Sequence, residues 1–225
     1  MVAAADWRAA AGRDPMTSTN PQRLGSLIVL SGPSGAGKTT LYRRVLERHP
    51  EIRFSVSCTT RLPRTNEHDG VDYHFLSVAQ FRERQAAGAF LEHAEVHGNC
   101  YGTLRAEVES PIRDGVEVLL DIDVQGARQI REVTRGTSLA AAALSIFCAP
   151  PSFAVLRRRL EARGTDSPEV IARRLLRARA ELTAWREYDW VVVNDRLEEA
   201  LAQLEAIVLA ARCRTLLHQK EPWSE

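Results

Sequence analysis

The stretch SLIVLSGPSGAGKTT, residues 26–40, constrains this chain more than any other. Residues 26–30 are a short apolar run ended by Gly32, which predicts a buried strand. Residues 38–48 follow as a helix. Between them Gly32, Pro33, Ser34, Gly35, Ala36, Gly37, Lys38 and Thr39 fit G-x-x-x-x-G-K-[ST] at every fixed position, with Thr40 beside them. Such glycines let backbone N–H groups turn inward around phosphate oxygens. The helix that follows adds its positive N-terminal end. Lys38 can reach the β- and γ-phosphates, and the Thr39 hydroxyl can ligate Mg²⁺. A glycine turn with a chance lysine would not need a strand before it and a helix after it. The segment therefore predicts a bound nucleoside triphosphate. It does not say what receives the phosphoryl group, because GTPases, transport ATPases and small-metabolite kinases share the loop.

Further apolar runs at 116–123 (VEVLLDID), 143–149 (ALSIFCA) and 190–194 (WVVVN) read as three more buried strands, and FSVS and VDYHFL as shorter ones. Helices are predicted at 79–88 behind a Ser77/Gln80 capping box, over YGTLRAEVESPIRDG with a break or bend at Pro111, and at 125–136. Others run from Ser152 to about Gly164, from the start signal Ser167-Pro168-Glu169, and from 197 to 217. Short apolar strands alternating with helices imply an α/β fold, a parallel sheet with helices on both faces. The polar stretch 54–106 breaks this rhythm and reads as an inserted subdomain. Residues 1–23 have no sustained apolar period and read as a mobile tail, with Met16 an alternative start. They lack the apolar core of a secretory signal, and Asp6 and Asp14 weigh against a transit peptide.

The charge balance excludes some classes. Thirty basic against 29 acidic residues, a net charge of +1, does not suit a bulk nucleic-acid binder. No apolar run approaches the ~18 residues needed to cross a bilayer. Cys58, Cys100, Cys148 and Cys213 form no CxxC pair, which suits reduced thiols in a cytosol better than a disulfide framework or a zinc site.

Three segments narrow the acceptor. Arg61 and Arg64, three apart in a polar loop, could clamp one phosphate, although a solvated basic loop reads the same way. Tyr73, Glu92, Tyr101 and Thr103 could line a nucleobase pocket. A carboxylate suits guanine, which donates from N1 and N2; adenine has no N1 donor and would leave polar groups unpaired. Asp121 and Asp123 end a strand beside the phosphate loop, where acids can hold Mg²⁺ or contact the acceptor.

The segments SGPSGAGKTT, FSVSCTTRLPR, DGVDYHF, GNCYGT, LLDIDVQGA, FCAPPS, LEARGTDSPEVIARRL and VVVND occur in this order, and from about 25 to 215 the chain resembles the guanylate kinases. That resemblance implies ATP and Mg²⁺ as cofactors and GMP, with dGMP, as the phosphoryl acceptor, in cytoplasmic purine nucleotide metabolism and GMP recycling. It implies a core of 24–53, 107–156 and 179–215, a GMP-binding insert at 54–106 and a helical lid at 157–178. Ser57, Glu92 and Asp121 would contact guanine, with Thr103 nearby; Arg61, Arg64, Tyr73 and Tyr101 would grip the GMP phosphate. Lys38 and the lid arginines Arg159, Arg163 and Arg174 would be catalytic, with Arg173 a rival for the last. Asn194 would lie near the adenine, and Thr39 with Asp123 at the metal, Asp121 being the alternative there. Cys100 departs from the family, which often has a second tyrosine there.

An acceptor that is already a phosphate oxyanion needs no general base, so the chemistry would rest on positioning and charge neutralisation. A kinase for ribose 1,5-bisphosphate would share loop and lid but needs no guanine pocket. A guanylate-kinase-like binding module would need neither Lys38 nor the lid arginines. The partners expected are small nucleotides, with no nucleic acid or membrane, for a monomer or homo-oligomer.

Overall fold

A computed structural model describes residues 23–65, 67–96, 98–162 and 167–219. Of the expected features, the tail up to residue 22 and Arg163 in the lid lie outside the described residues. In chain order the elements are β1 (Leu27–Ser31), α1 (Lys38–Arg48), β2 (Arg53–Phe54), β3 (Cys58–Thr59), β4 (His74–Phe75), α2 (Val78–Ala86), β5 (Phe90–Val96) and β6 (Asn99–Leu104). There follow α3 (Ala106–Arg113), β7 (Val118–Asp121), α4 (Val124–Thr134), α5 (Ser138–Ala142), β8 (Ala143–Ala149), α6 (Phe153–Glu161), α7 (Pro168–Leu182), β9 (Trp190–Val193) and α8 (Leu197–Arg212).

Five strands form one parallel sheet in the order β2-β7-β1-β8-β9. β1 is buried along its whole length because both faces are covered. Ile28 and Leu30 pack with Leu41 and Val45 of α1 and with Leu201, Leu204 and Val208 of α8. Leu27 and Val29 face Val108 and Ile112 of α3 and Ile130 of α4. The register sets Leu30 beside Asp121, so the loop that leaves β1 starts next to the carboxyl end of β7. Crevices at the carboxyl ends of such strands are where α/β sheets bind ligands.

The second sheet has the order β4-β3-β6-β5, its strands all between residues 58 and 104. β3 and β5 run antiparallel to β6, and β4 is parallel to β3. α2 opens on the predicted reciprocal capping box, Ser77 accepting from the Gln80 N–H and Gln80 from that of Ser77. Its Phe81 stacks on Phe90 of β5, centroids 4.4 Å apart.

Four expectations need correction. The helix read from residue 101 begins only at Ala106, because residues 101–104 pair with β5 as a strand. β9 is not a buried strand: it is a sheet edge, where Trp190, Val191 and Val193 are 48%, 40% and 47% exposed and only Val192 is buried. An apolar run looks alike in the centre and at the rim. The strand β5 and the short helix α5 were not anticipated. The last helix stops at Arg212, and a separate 3-10 turn covers Thr215–Leu217.

Candidate active site

The phosphate loop is shaped from below. Gly32 and Gly37 have φ of 139° and 91°, which side chains rarely adopt. A Cβ on Gly32 would lie 2.2 Å from the Cys148 carbonyl oxygen, and one on Gly37 would lie 2.4 Å from Asn194 Nδ2. Asn194 is buried and donates from Nδ2 to the Ala36 carbonyl at 2.9 Å. Arg159 donates to the same carbonyl (3.3 Å) and to that of Asn194 (2.9 Å). Two residues distant in sequence thus brace one turn of the loop. Gly37→Ala is expected to destabilise the protein by about 2 kcal/mol and to weaken ATP binding about tenfold. Denaturant unfolding and calorimetric titration with ATP check this.

α1 begins at Lys38 with Gly37 as its cap, without a side-chain cap and without an acid in its first turn. Its first N–H groups therefore lack a side-chain partner, a helix end suited to an anion. By contrast α2, α4, α6 and α7 are capped by Ser77, Asp123, Ser152 and Ser167. Lys38 Nζ donates to the Gly32 carbonyl at 2.8 Å and lies 3.8 Å from Asp121 Oδ1. Burial raises the Asp121 carboxyl, and Lys38 opposes that rise. Ser34, Thr39 and Thr40 are exposed at the loop's rim. No cluster of three or more His, Cys, Asp or Glu suited to a metal occurs among the described residues. The hard oxygens of Thr39 and Asp121 beside an anion cradle fit Mg²⁺ that shares its shell with nucleotide phosphates and water.

Across the cleft, Arg61 and Arg64 meet at a residue that sequence reasoning missed, Glu67. Arg61 Nη2 lies 2.9 Å from both Glu67 oxygens, and the Arg64 backbone N–H donates to Oε2 at 2.9 Å. The Arg64 guanidinium is largely exposed, 3.9 Å from Glu67. Burial opposes ionisation of Glu67, but the Arg64 N–H and Arg61 outweigh it and hold its carboxyl below the usual range. Arg61 also lies over the Tyr73 ring at 5.4 Å, and Tyr73 meets Tyr101 edge-on at 6.0 Å. Ser57 is half-buried, its carbonyl accepting from the His74 N–H.

Glu92 lies on β5. The pairing of β5 with β6 slips by one residue between Phe90 and Glu92. Glu92 is 5% exposed and accepts a 2.6 Å bond from the Thr103 hydroxyl. Burial, opposed by Thr103 and reinforced by the charge of Asp123, pushes its carboxyl up to about 7. Gly126 of α4 makes room for it, since a Cβ there would lie 2.7 Å from Glu92 Oε2. Nothing local in the sequence marks Gly126 as part of this site.

The two aspartates separate. Asp121 ends β7 and faces Lys38. Asp123 caps α4 through the Gly126 N–H at 2.8 Å and pairs with Arg177 at 2.6 Å, close enough to Glu92 to raise it. Of the lid arginines, Arg159 sits under the loop, Arg174 is half-buried on α7 and Arg173 is exposed. A surface cavity of about 640 Å³, lined in part by Arg131, Ser145 and Trp190 at the opposite ends of the strands, contains none of these residues.

A guanylate kinase family model matches residues 25–211. The chain is 50% identical over 192 residues to a guanylate kinase of Symbiobacterium thermophilum, covering 85% of this chain and 88% of that one. It is 46% identical to a guanylate kinase of Geobacter metallireducens, covering 86% and 93%. The crystal structure of guanylate kinase from Anaplasma phagocytophilum superposes with a TM-score of 0.73 at 34% identity, covering 89% and 93%. With a family model across most of its length and relatives this similar, the chain belongs to the guanylate kinase family.

Proposed function

We propose the following division of labour for the ATP-dependent phosphorylation of GMP to GDP, the reaction of this family. The loop of residues 32–40 cradles the ATP phosphates, with Asn194 and Arg159 holding its turn in shape. Lys38 leaves the Gly32 carbonyl and follows the transferring phosphoryl group. Arg174 and Arg163 add positive charge from the lid. Arg61, Arg64, Tyr73 and Tyr101 take the GMP phosphate, which competes with Glu67 for the two guanidiniums. Ser57, Glu92 and Thr103 take the guanine.

The aspartates are assigned opposite to the sequence expectation. Asp121, beside Lys38, serves the metal end with Thr39; Asp123, beside Glu92, serves the base end. Bound there, Mg²⁺ supplies charge that neutralises the β- and γ-phosphate oxygens. The protein's own share is to align two phosphates in line and to exclude water as residues 54–106 and 157–178 close toward the loop. dGMP shares every group that these residues read.

The observation that carries the reading is Glu92, buried against Gly126 and held by Thr103. A carboxylate with free lone pairs accepts from guanine N1 and N2, a pattern that adenine, cytosine and uracil do not present. ADP release from Mg·ATP is expected with GMP and dGMP, and not with AMP, CMP, UMP or ribose 1,5-bisphosphate. Turnover with the sugar phosphate instead would discard the base pocket. The reading places the enzyme in the cytoplasm, in GMP recycling, acting on small nucleotides and not on nucleic acid. No described helix is long and apolar enough to cross a membrane.

A further inference from the structure

Arg177 of α7 lies one turn beyond Arg174, and the reaction as described gives it no part. Its Nη2 bonds Asp123 Oδ2 at 2.6 Å, and its Nε bonds Glu181 Oε1 at 2.7 Å. The other Asp123 oxygen, Oδ1, accepts the Gly126 N–H at 2.8 Å. Gln125 Nε2 approaches Oδ2 at 3.4 Å. Each carboxylate oxygen is thus pinned by one short bond, which fixes the plane of the group; Oδ1 keeps a second lone pair, while that of Oδ2 meets only the long Gln125 contact. The Gly126 that anchors one oxygen is the residue whose missing side chain makes room for Glu92. A continuous set of contacts therefore runs from the lid helix to the guanine end: Arg177, Asp123, Gly126, Glu92. α7 also has apolar packing apart from this pair. Its Leu175 and Ala178 pack with Leu156 and Leu160 of α6.

We propose that Arg177 is a positioning residue for guanine recognition, fixing Asp123 in the orientation from which it accepts a hydrogen bond from the 2-amino group. This rests on the assignment of Asp123 to the base end. The chemistry predicts where the effect appears. IMP differs from GMP only in lacking the 2-amino group, so it is blind to the orientation of Asp123. A lid tether with no part in recognition would instead affect both acceptors alike.

The test measures kcat/KM for GMP and for IMP, with saturating Mg·ATP, in the full chain and in Asp123→Asn, Arg177→Ala and Arg177→Lys. Asn caps helices as well as Asp does, so Asp123→Asn keeps α4 while replacing an acceptor with an NH₂ group. In Asp123→Asn and Arg177→Ala the GMP/IMP ratio is expected to fall about tenfold. Read at pH 8.5, where Glu92 is ionised whether or not Asp123 keeps its charge, values for IMP should fall far less than those for GMP, and Arg177→Lys should restore most of the ratio. If Asp123→Asn lowers the ratio and Arg177→Ala does not, or if Arg177→Ala lowers both acceptors equally, the positioning role is wrong while the base-end assignment stands. If Asp123→Asn leaves the ratio unchanged, the base-end assignment fails and the proposal with it. Should Arg177→Ala not fold, Arg177→Gln must give the same fall.

Discussion

Lys38→Ala is expected to lower kcat about 10³-fold, roughly 4 kcal/mol of transition-state stabilisation. The ammonium is 3.8 Å from the carboxylate of Asp121, which ends β7, and it is parked on the Gly32 carbonyl at 2.8 Å. A phosphoryl group in transit spreads negative charge over three oxygens, and a preorganised cation there needs no reorganisation at the moment of reaction. The same substitution has a second effect, which separates it from a simple folding defect. Burial raises the Asp121 carboxyl and Lys38 is what opposes that rise. Without Lys38 the carboxyl rises further. A carboxyl raised in the folded state binds its proton more tightly there than in the unfolded chain, so ionising it costs stability. The variant should therefore match the parent most closely at acid pH and lose ground as pH climbs above the ordinary carboxylate range. Steady-state kinetics and unfolding midpoints from pH 4 to 9 read the two effects separately. An unchanged kcat would remove Lys38 from the reaction.

How much of this was legible beforehand depended on whether a feature is local in the chain. The phosphate loop was legible because its chemistry is contiguous: a strand, three glycines, a lysine and a helix start. So were the caps at Ser77 and Ser167, each made within four residues. What stayed hidden is made by residues that meet only after folding. The buried amide of Asn194 donates to the loop's backbone, a contact across 158 residues. Arg159 reads as one of three lid arginines and braces the same carbonyl. Asp121 and Asp123 look equivalent in LLDID, but the strand ends at the first, which faces Lys38, and a helix is capped by the second, which pairs with Arg177. The exposure of β9 followed from its place at the end of the strand order, which its apolar sequence does not encode.

Glu92→Gln is expected to lower kcat/KM for GMP on the order of 10³-fold and to abolish the preference for GMP over AMP. Guanine presents two donors side by side. The carboxylate meets both with acceptors, whereas a glutamine offers its oxygen to one of them and turns an NH₂ group toward the other, which is left without an acceptor. The proton on Glu92 itself sets a pH signature. With its carboxyl at about 7, the free enzyme loses its second acceptor as pH falls through neutrality, so kcat/KM for GMP should show an acid limb centred near 7. The variant, having no titrating group there, should lack the limb. The stability of the ligand-free protein carries the same information with a fixed sign. The group is raised in the folded state, so the folded protein holds its proton across the interval between the usual carboxylate value and about 7. Stability is therefore greatest below that interval and falls by up to about 3 kcal/mol as pH rises through it. Glu92→Gln removes this loss, so the variant should be the more stable protein at pH 8 and should lose that advantage toward pH 5. Buried carboxyl groups that cost the empty protein stability at working pH are retained where a ligand uses them. A variant that keeps both the acid limb and the parent's stability profile would show that Glu92 is neither the titrating group nor the guanine's acceptor.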